Sequence, residues 1–127
     1  MEKCVEVGNK VRFLDMGGVK MIRTIIERYC PPDKAAEMES LLVDMRTKAM
    51  RQHGYVSGET LRSLDDPSRW LVISTWLNAE NWKAWQTNPE RKEVSAKIDR
   101  LLAKPEKVSV FSFMRRGGAD SAHTIDK

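Results

Sequence analysis

The sequence predicts an α+β fold of the ferredoxin-like, split βαβ type, in which helices cover one face of an antiparallel sheet. Three observations support this prediction. After residue 18, strand-like and helix-like stretches follow in the order β-α-β-β-α-(α)-β. The first helical stretch, at ~30 Å, can run along the full ~33 Å of the first strand. The 127 residues are enough for one domain with a modest core.

Residues 1–18 are predicted to form an N-terminal β-hairpin that precedes this domain. Residues 3–7 and 10–14 flank Gly8-Asn9, a two-residue loop of the kind that closes a hairpin. Gly17-Gly18 then allows the chain to change direction.

Residues 19–30 are predicted to form the first strand. One face has Ile22, Thr24 and Ile26, and the other has Met21, Arg23, Ile25 and Glu27. Pro31-Pro32 ends the strand, and Asp33 is the predicted N-cap of the first helix. Its apolar stripe follows helical spacing, with Met38, Leu41, Leu42, Met45 and Ala49. Gly54 is the predicted left-handed residue that follows this helix.

The second half of the chain is predicted to contain three more strands and two helices. The strands are residues 55–62, 70–76 and 108–114. Asn78 is the predicted N-cap of a short helix with Trp82 and Trp85, and Asn88-Pro89 opens the next helix. The apolar stripe of that helix consists of Val94, Ile98, Leu101 and Leu102. Residues 115–127 have no periodicity and are predicted to form a mobile tail.

The sheet face away from the helices is predicted to be the interface of a homodimer. It has Met21 and Ile25 together with either Phe111 and Phe113 or Val108 and Val110. A monomer would leave this apolar face in water, so a two-fold partner is expected to cover it.

Composition excludes several classes of protein. The net charge of +4 comes from basic residues mixed with acidic ones, whereas a nucleic-acid surface needs a stripe of one sign. No apolar run is long enough to span a membrane, and the first residues lack the apolar segment of a secretory signal. Cys4 and Cys30 are too few for a disulfide framework, so reduced thiols and a cytoplasmic location are expected. His53 and His123 have no neighbouring ligands at metal-binding spacing, and no dinucleotide or phosphate motif is present.

All four Trp residues lie within residues 70–85, which makes this segment the strongest functional signal in the chain. Trp82 and Trp85 share one face of the short helix, and Trp76 ends the strand before it. Such a concentration indicates either dense core packing or the wall of a pocket for a flat ligand. Both interpretations remain open for Trp76, Trp82 and Trp85.

Residues 54–62, 70–85 and 88–94 resemble the antibiotic biosynthesis monooxygenase family, and the resemblance extends over residues 19–114. It implies a dimeric α+β barrel, which would bury sheet against sheet. It also implies activity without a cofactor, on aromatic compounds that donate an electron to oxygen themselves. In that family a Trp at the position of Trp85 often faces a cavity between helices and sheet.

The heme-degrading branch of the same family has an Asn on the first strand, a Trp on the short helix and a His about ten residues later. Trp85 matches the Trp, but the His position falls at or near Ser95, and residues 19–28 contain no Asn. Without the His there is no axial ligand for iron, so conventional heme degradation is not expected.

These observations lead to a predicted function with two alternatives. The first hypothesis is a cofactor-independent monooxygenase for a small aromatic or quinol-like compound. The alternatives are a non-catalytic member that binds a small apolar molecule or serves as a scaffold, and an atypical heme-binding protein. No catalytic residue is assigned. The candidate pocket consists of Trp85, Trp82, Trp76, Asn81, Arg91 and Ser95.

Overall fold

A computed structural model describes residues 20–114, which form one four-stranded antiparallel sheet and three α-helices. The strands are β1 (Ile22–Tyr29), β2 (Tyr55–Arg62), β3 (Arg69–Trp76) and β4 (Lys107–Ser112). The helices are α1 (Ala35–Ala49), α2 (Ala79–Gln86) and α3 (Pro89–Asp99). The predicted hairpin of residues 1–18 and the predicted tail of residues 115–127 lie outside the described residues, so the division into segments stays a prediction.

The sheet has the strand order β2-β3-β1-β4, and every neighbouring pair is antiparallel. The central strands β1 and β3 pair along their whole length, from Ile22 opposite Trp76 to Tyr29 opposite Arg69. This topology confirms the predicted split βαβ, ferredoxin-like fold.

The helices cover one face of the sheet, and the alternation of β1 selects that face. Ile22, Thr24 and Ile26 are buried beneath the helices, as predicted, and Arg28 continues the same row. Helix α1 contributes buried Met38, Leu42, Met45 and Ala49, while Leu41 packs at the edge of this core. The core therefore lies between β1, β3 and the three helices.

The two predicted Asn caps are confirmed, and the predicted Asp33 cap is wrong. Asn78 Oδ1 accepts a hydrogen bond from the Asn81 N–H at 2.8 Å, and Asn88 Oδ1 accepts one from the Glu90 N–H at 2.7 Å. Asp33 instead lies inside a 3₁₀ turn, Pro32–Lys34, that precedes α1. Pro31 is extended and Pro32 occupies the first position of the turn, so the chain begins to coil before Asp33 can cap it.

The pairing of β1 with β4 decides which apolar residues face away from the helices. Phe111 lies opposite Arg23 and therefore shares its outer face, where Phe111 is 53% exposed. The Arg23 guanidinium carbon lies 5.3 Å from the centroid of the Phe113 ring, which belongs to the same face. Val108 and Val110 pair with Ile26 and Thr24 and belong to the helix side. The outer face thus combines Phe111 and Phe113 with Ile25, Leu61, Leu71 and Ile73.

In the part of the chain that the structure describes, none of the helices combines the length and the apolar character needed to cross a membrane. The cytoplasmic location stays a prediction.

Candidate functional site

A cavity lies between the helices and the covered face of the sheet. It contains about 520 Å³ of empty space, and much of that volume belongs to an open mouth. Arg46 of α1 and Thr60 of the edge strand β2 are exposed lining residues, which places the mouth between these two elements. The enclosed part of the cavity is small. The other lining residues are Ile26, Arg28, Leu42, Met45, Ala49, Tyr55, Gly58, Glu59, Val72, Ser74, Trp76, Trp82, Trp85 and Arg91.

A row of small residues crosses three adjacent strands, and two of them, Gly58 and Ser74, line the floor of the cavity. Gly58, Ser74 and Thr24 stand directly opposite one another on β2, β3 and β1. Two positions before and after Ser74 on the same face of β3 are the larger residues Val72 and Trp76. Because a close-packed interior fills whatever space its side chains reach, a row of small residues between two larger rows leaves a depression. Thr24 Oγ1 and Ser74 Oγ share a hydrogen bond of 2.6 Å across this floor.

A β-bulge in β2 brings Tyr55 onto the same face as Gly58. Tyr55 pairs with Trp76 but Ser57 pairs with Thr75, so Val56 is the extra residue of the bulge. Without the bulge, Tyr55 and Gly58 would point to opposite faces, since they are three residues apart. The Tyr55 hydroxyl lies above Gly58, and a Cβ added there would come within 2.5 Å of it. That hydroxyl has no hydrogen-bond partner among residues 20–114.

Three Trp rings form the aromatic wall. Trp76 is fully buried; its ring meets the edge of Tyr55 with centroids 5.4 Å apart, and its centroid lies 5.9 Å from that of Trp82. The Trp76 indole N–H donates to Ser74 Oγ at 3.0 Å, which fixes the ring against the floor. Trp82 and Trp85 project from α2, whose start is set by the Asn78 cap.

Two buried arginines bring positive charge to the inner part of the cavity. Arg28 is 2% exposed and Arg91 is 7% exposed. Arg28 donates through Nε to Glu106 Oε1 at 2.8 Å, but its Nη1 is buried with no partner in the described part of the chain. The Arg91 guanidinium carbon lies 5.5 Å from the centroid of the Trp82 ring. Burial lowers the pKa of Arg91, and Arg28 lowers it further, while Glu106 and Asp99 raise it.

The local sequence explains how both arginines reach this position. Arg28 continues the even-numbered row of β1 that the helices cover. Arg91 lies in the first turn of α3, at i, i+3 and i+7 spacing with Val94 and Ile98, and all three are buried. A charged residue therefore occupies an apolar position in both elements. Burying a charge at such a position costs free energy, so buried charges in proteins are generally paired or functional.

The arrangement can stabilise a negative charge, but its lining residues include no strong base. Glu59 is an acidic lining residue, yet its pairing with Ile73 directs the side chain to the outer face of the sheet. The remaining polar side chains of the lining are three arginines and three hydroxyls, namely Arg28, Arg46, Arg91, Tyr55, Thr60 and Ser74. Within the described residues, no three His, Cys, Asp or Glu side chains cluster in a way that could hold a metal ion.

The structure brings together four of the six residues of the predicted pocket. Trp76, Trp82, Trp85 and Arg91 line the cavity. Asn81 instead packs against Gly54, where its Oδ1 is buried without a partner, and Ser95 is half-buried on α3 away from the lining. Arg28, Tyr55 and Ser74 also line the cavity but were not predicted from the sequence. The alternation of β1 was a usable signal for Arg28.

The structure is that of an α+β protein in which a cavity, with an aromatic wall and a cationic end, lies between a split βαβ sheet and its helices. The sequence model described as "Antibiotic biosynthesis monooxygenase" matches residues 21–97 of this chain, well over half of its length. The chain therefore belongs to the antibiotic biosynthesis monooxygenase family. None of the curated proteins matches it significantly.

Several solved structures share the fold at low sequence identity. A putative antibiotic biosynthesis monooxygenase from Nitrosomonas europaea superposes with a TM-score of 0.71 at 17% identity, covering 81% of this chain and 99% of that one. A second, from Bordetella bronchiseptica, gives 0.68 at 21% identity over 76% and 99% of the two chains. A mutant of SnoaB, a cofactor-independent oxygenase from Streptomyces nogalater, gives 0.66 at 18% identity over 79% and 98%. At these identities the likeness shows the fold alone.

Proposed function

We propose that this protein is a cofactor-independent monooxygenase that acts on a small aromatic, quinol-like compound with one ring. The observation that supports this most is the cavity itself, where three Trp rings face two buried arginines. Its family membership and its likeness to SnoaB, described as a cofactor-independent oxygenase, agree with this activity.

In this proposal the substrate supplies the electrons, and the protein supplies a dry, positively charged site. The proposed overall reaction is quinol + O₂ → hydroxyquinone + H₂O. One oxygen atom enters the ring, and the other leaves as water. The reactive form of the quinol is its anion. Arg28 and Arg91 would stabilise that anion and the negative charge that passes to oxygen. Trp76, Trp82 and Trp85 would hold the ring and exclude water.

The same site explains how the reaction proceeds without a strong base. A cation close to an acidic hydroxyl favours the ionised form and so lowers the pKa of the hydroxyl. Two buried arginines with one carboxylate partner would act in this way on a bound quinol, whose proton would leave to solvent through the mouth of the cavity.

Oxygen uptake tests the proposal. The purified protein, freed of flavin and metal, would be supplied with a panel of one-ring quinols, and uptake above the uncatalysed rate is expected. Trp85→Phe removes part of the aromatic wall and is expected to lower kcat/KM by about tenfold, the scale of a lost aromatic contact. Trp70→Phe is the matched control, because Trp70 is equally buried but does not line the cavity. No uptake with any quinol, or equal losses in the two variants, would contradict the proposal.

We also propose that the protein is a homodimer joined through the outer face of the sheet. Phe111, Phe113, Leu61 and Met21 are each at least one-third exposed there, and nothing in residues 20–114 covers them. Members of the family are typically dimeric. Apolar side chains grouped on one face in this way favour a two-fold partner.

One observation favours a second function, binding of a small aromatic molecule without catalysis. The lining residues include no histidine and no carboxylate side chain directed at a ligand, so the cavity lacks an acid–base pair. This alternative predicts that ligands quench Trp fluorescence while no oxygen is consumed. The heme alternative gains no support, since the cavity lining offers neither a histidine nor a cysteine to iron.

A further inference from the structure

We infer that the ligand of this cavity is a small aromatic monoanion, a one-ring carboxylate or phenolate, whose charged oxygen binds Arg28 and Arg91. The inference rests on the proposed function in one respect, that the cavity is the substrate site. It goes further because it fixes the charge that the ligand has when it is bound.

The first step is the balance of charge. Arg28 and Arg91 are both more than nine-tenths buried, and among residues 20–114 the one ion pair that either forms is that of Arg28 with Glu106. Glu106 and Asp99 also attract the Arg91 charge, but neither forms an ion pair with it, so Arg91 has no ion-pair partner in the described part of the chain. An unpaired buried charge is among the most costly features of a protein interior. A monoanion would neutralise it.

The second step is the supply of hydrogen-bond donors. Arg28 Nη1 is buried with no partner, and Arg28 lines the cavity. The guanidinium of Arg91 makes no hydrogen bond with residues 20–114 and also lines the cavity. A guanidinium presents its N–H groups in a planar fork that matches the oxygens of a carboxylate or a phenolate. A buried water could accept these N–H groups but would leave the charge unbalanced.

The third step is shape. The Arg91 guanidinium lies over the Trp82 ring, while Trp76 and Trp85 complete the aromatic wall. The charged end and the flat wall are therefore adjacent, and a ligand with an acidic group attached directly to one ring would reach both. The small size of the enclosed space excludes a ligand much larger than one ring.

Benzoate and benzamide test the inference, because the two molecules have nearly the same shape and only benzoate is charged. Neither needs oxygen or turnover, and binding can be followed by quenching of Trp fluorescence and by calorimetry. Benzoate is expected to bind at least about tenfold more tightly, as one charge-assisted hydrogen bond implies. Equal affinities, or no binding of either compound at millimolar concentration, would overturn the inference.

Variants of Arg91 separate binding from structure. Arg91→Met should remove the preference for benzoate without lowering Tm, because it removes a charge that burial disfavours and replaces it with an apolar side chain in the same buried position. Arg91→Lys should keep part of the preference. Arg100→Met, at an exposed position after α3, is the control and should change neither property. Unchanged benzoate affinity in Arg91→Met, or a fall in Tm that accounts for the loss, would contradict the assignment.

4-Nitrophenol distinguishes the two sources of anionic oxygen, since its phenolate absorbs in the visible range. At a pH near its own pKa, binding should increase the phenolate absorbance if phenolates are accepted. If the protein binds carboxylates but not phenolates, the 4-nitrophenolate absorbance would stay unchanged, and the ligand class would be restricted to aromatic acids. A protein that prefers benzoate but consumes no oxygen would refute the proposed function alone. Oxygen uptake without any preference for benzoate would refute this inference alone.

Discussion

Gly58 opens the floor of the cavity because it has no side chain. A Cβ at this position would come within 2.5 Å of the Tyr55 hydroxyl. That hydroxyl is the far end of a side chain that can turn, so Gly58→Ala should move the Tyr55 ring into the cavity rather than unfold the strand. We expect ligand affinity to fall by about tenfold, and the free energy of unfolding to change by about 1 kcal/mol or less. Calorimetric binding and urea denaturation measure the two effects.

Gly54 provides the contrasting control. Its φ is +89°, and a Cβ there would clash with the Asn81 carboxamide. Gly54→Ala should therefore cost about 1–2 kcal/mol of stability from backbone conformation alone. If Gly58→Ala instead proved as destabilising as Gly54→Ala, the cavity floor would be part of a packed core and not of a binding site.

Single residues were predictable from sequence where a local rule applies to them. The caps at Asn78 and Asn88 follow from the preference of Asn for that position, and Arg91 follows from its neighbourhood to the Trp helix. The face of Tyr55 could not be predicted, because it depends on the bulge at Val56. Regular alternation along β2 would place Tyr55 on the face opposite to Gly58, away from the cavity. Ser74 forms the floor only because pairing sets it between Gly58 and Thr24.

Strands β1 and β3 are joined on the outer face by an ion pair between Glu27 and Arg69. Arg69 Nε donates to Glu27 Oε2 at 2.5 Å. This hydrogen bond, more than any other contact, holds the pKa of the Glu27 carboxyl below its ordinary value. The ion pair therefore contributes its full stabilisation above the ordinary pKa of Glu. This stabilisation is lost as the pH falls through the lowered pKa that Glu27 has in the folded protein.

Titration of the Glu27 carboxyl by NMR tests this ion pair. The wild-type pKa should lie below the ordinary range, and Arg69→Met should raise it toward that range. Arg62→Met, on the neighbouring strand β2 and with its Nε bonded to the Pro67 carbonyl, is the control and should leave the Glu27 pKa unchanged. A normal Glu27 pKa in the wild-type protein would show that the pair is not formed in solution.

The order of the elements was predictable because each has a strong local pattern. The strands alternate, the helices have apolar stripes, and Pro or Asn marks their boundaries. The start of α1 was not predictable in the same way. Pro31-Pro32 signals the end of β1, but whether the next residues cap a helix or form a 3₁₀ turn depends on how α1 packs onto the sheet.

At the scale of the whole molecule, the outer face of the sheet determines the proposed assembly. Phe111 lies at its exposed part, so Phe111→Glu would place a charge in the interface. We expect the dissociation constant of the dimer to rise by about 100-fold or more, the scale of a buried unpaired charge. Sedimentation equilibrium measures it. Val43→Glu, equally exposed but on α1, should leave the assembly unchanged. A wild-type protein that remains monomeric at high concentration would contradict the proposed dimer.

The cavity is a property of the folded molecule that no single segment predicts. Its aromatic wall comes from β3 and α2, its buried charge from β1 and α3, and its floor from the paired strands β2 and β3. The Trp cluster was visible in the sequence, but the sequence favoured core packing for Trp76 and Trp82 and left Trp85 open. The row of small residues in the sheet favours the pocket, because it leaves an empty space where the Trp rings would otherwise meet the strands.

The fate of the two oxygen atoms tests the central claim most directly. The purified protein, free of flavin and metal, would turn over its best one-ring quinol under isotopically labelled dioxygen, and mass spectrometry would follow the label. A monooxygenase that draws electrons from its substrate places one labelled atom in the product and one in water. Label absent from the product, with hydrogen peroxide formed instead, or both labelled atoms in the product, would contradict the account.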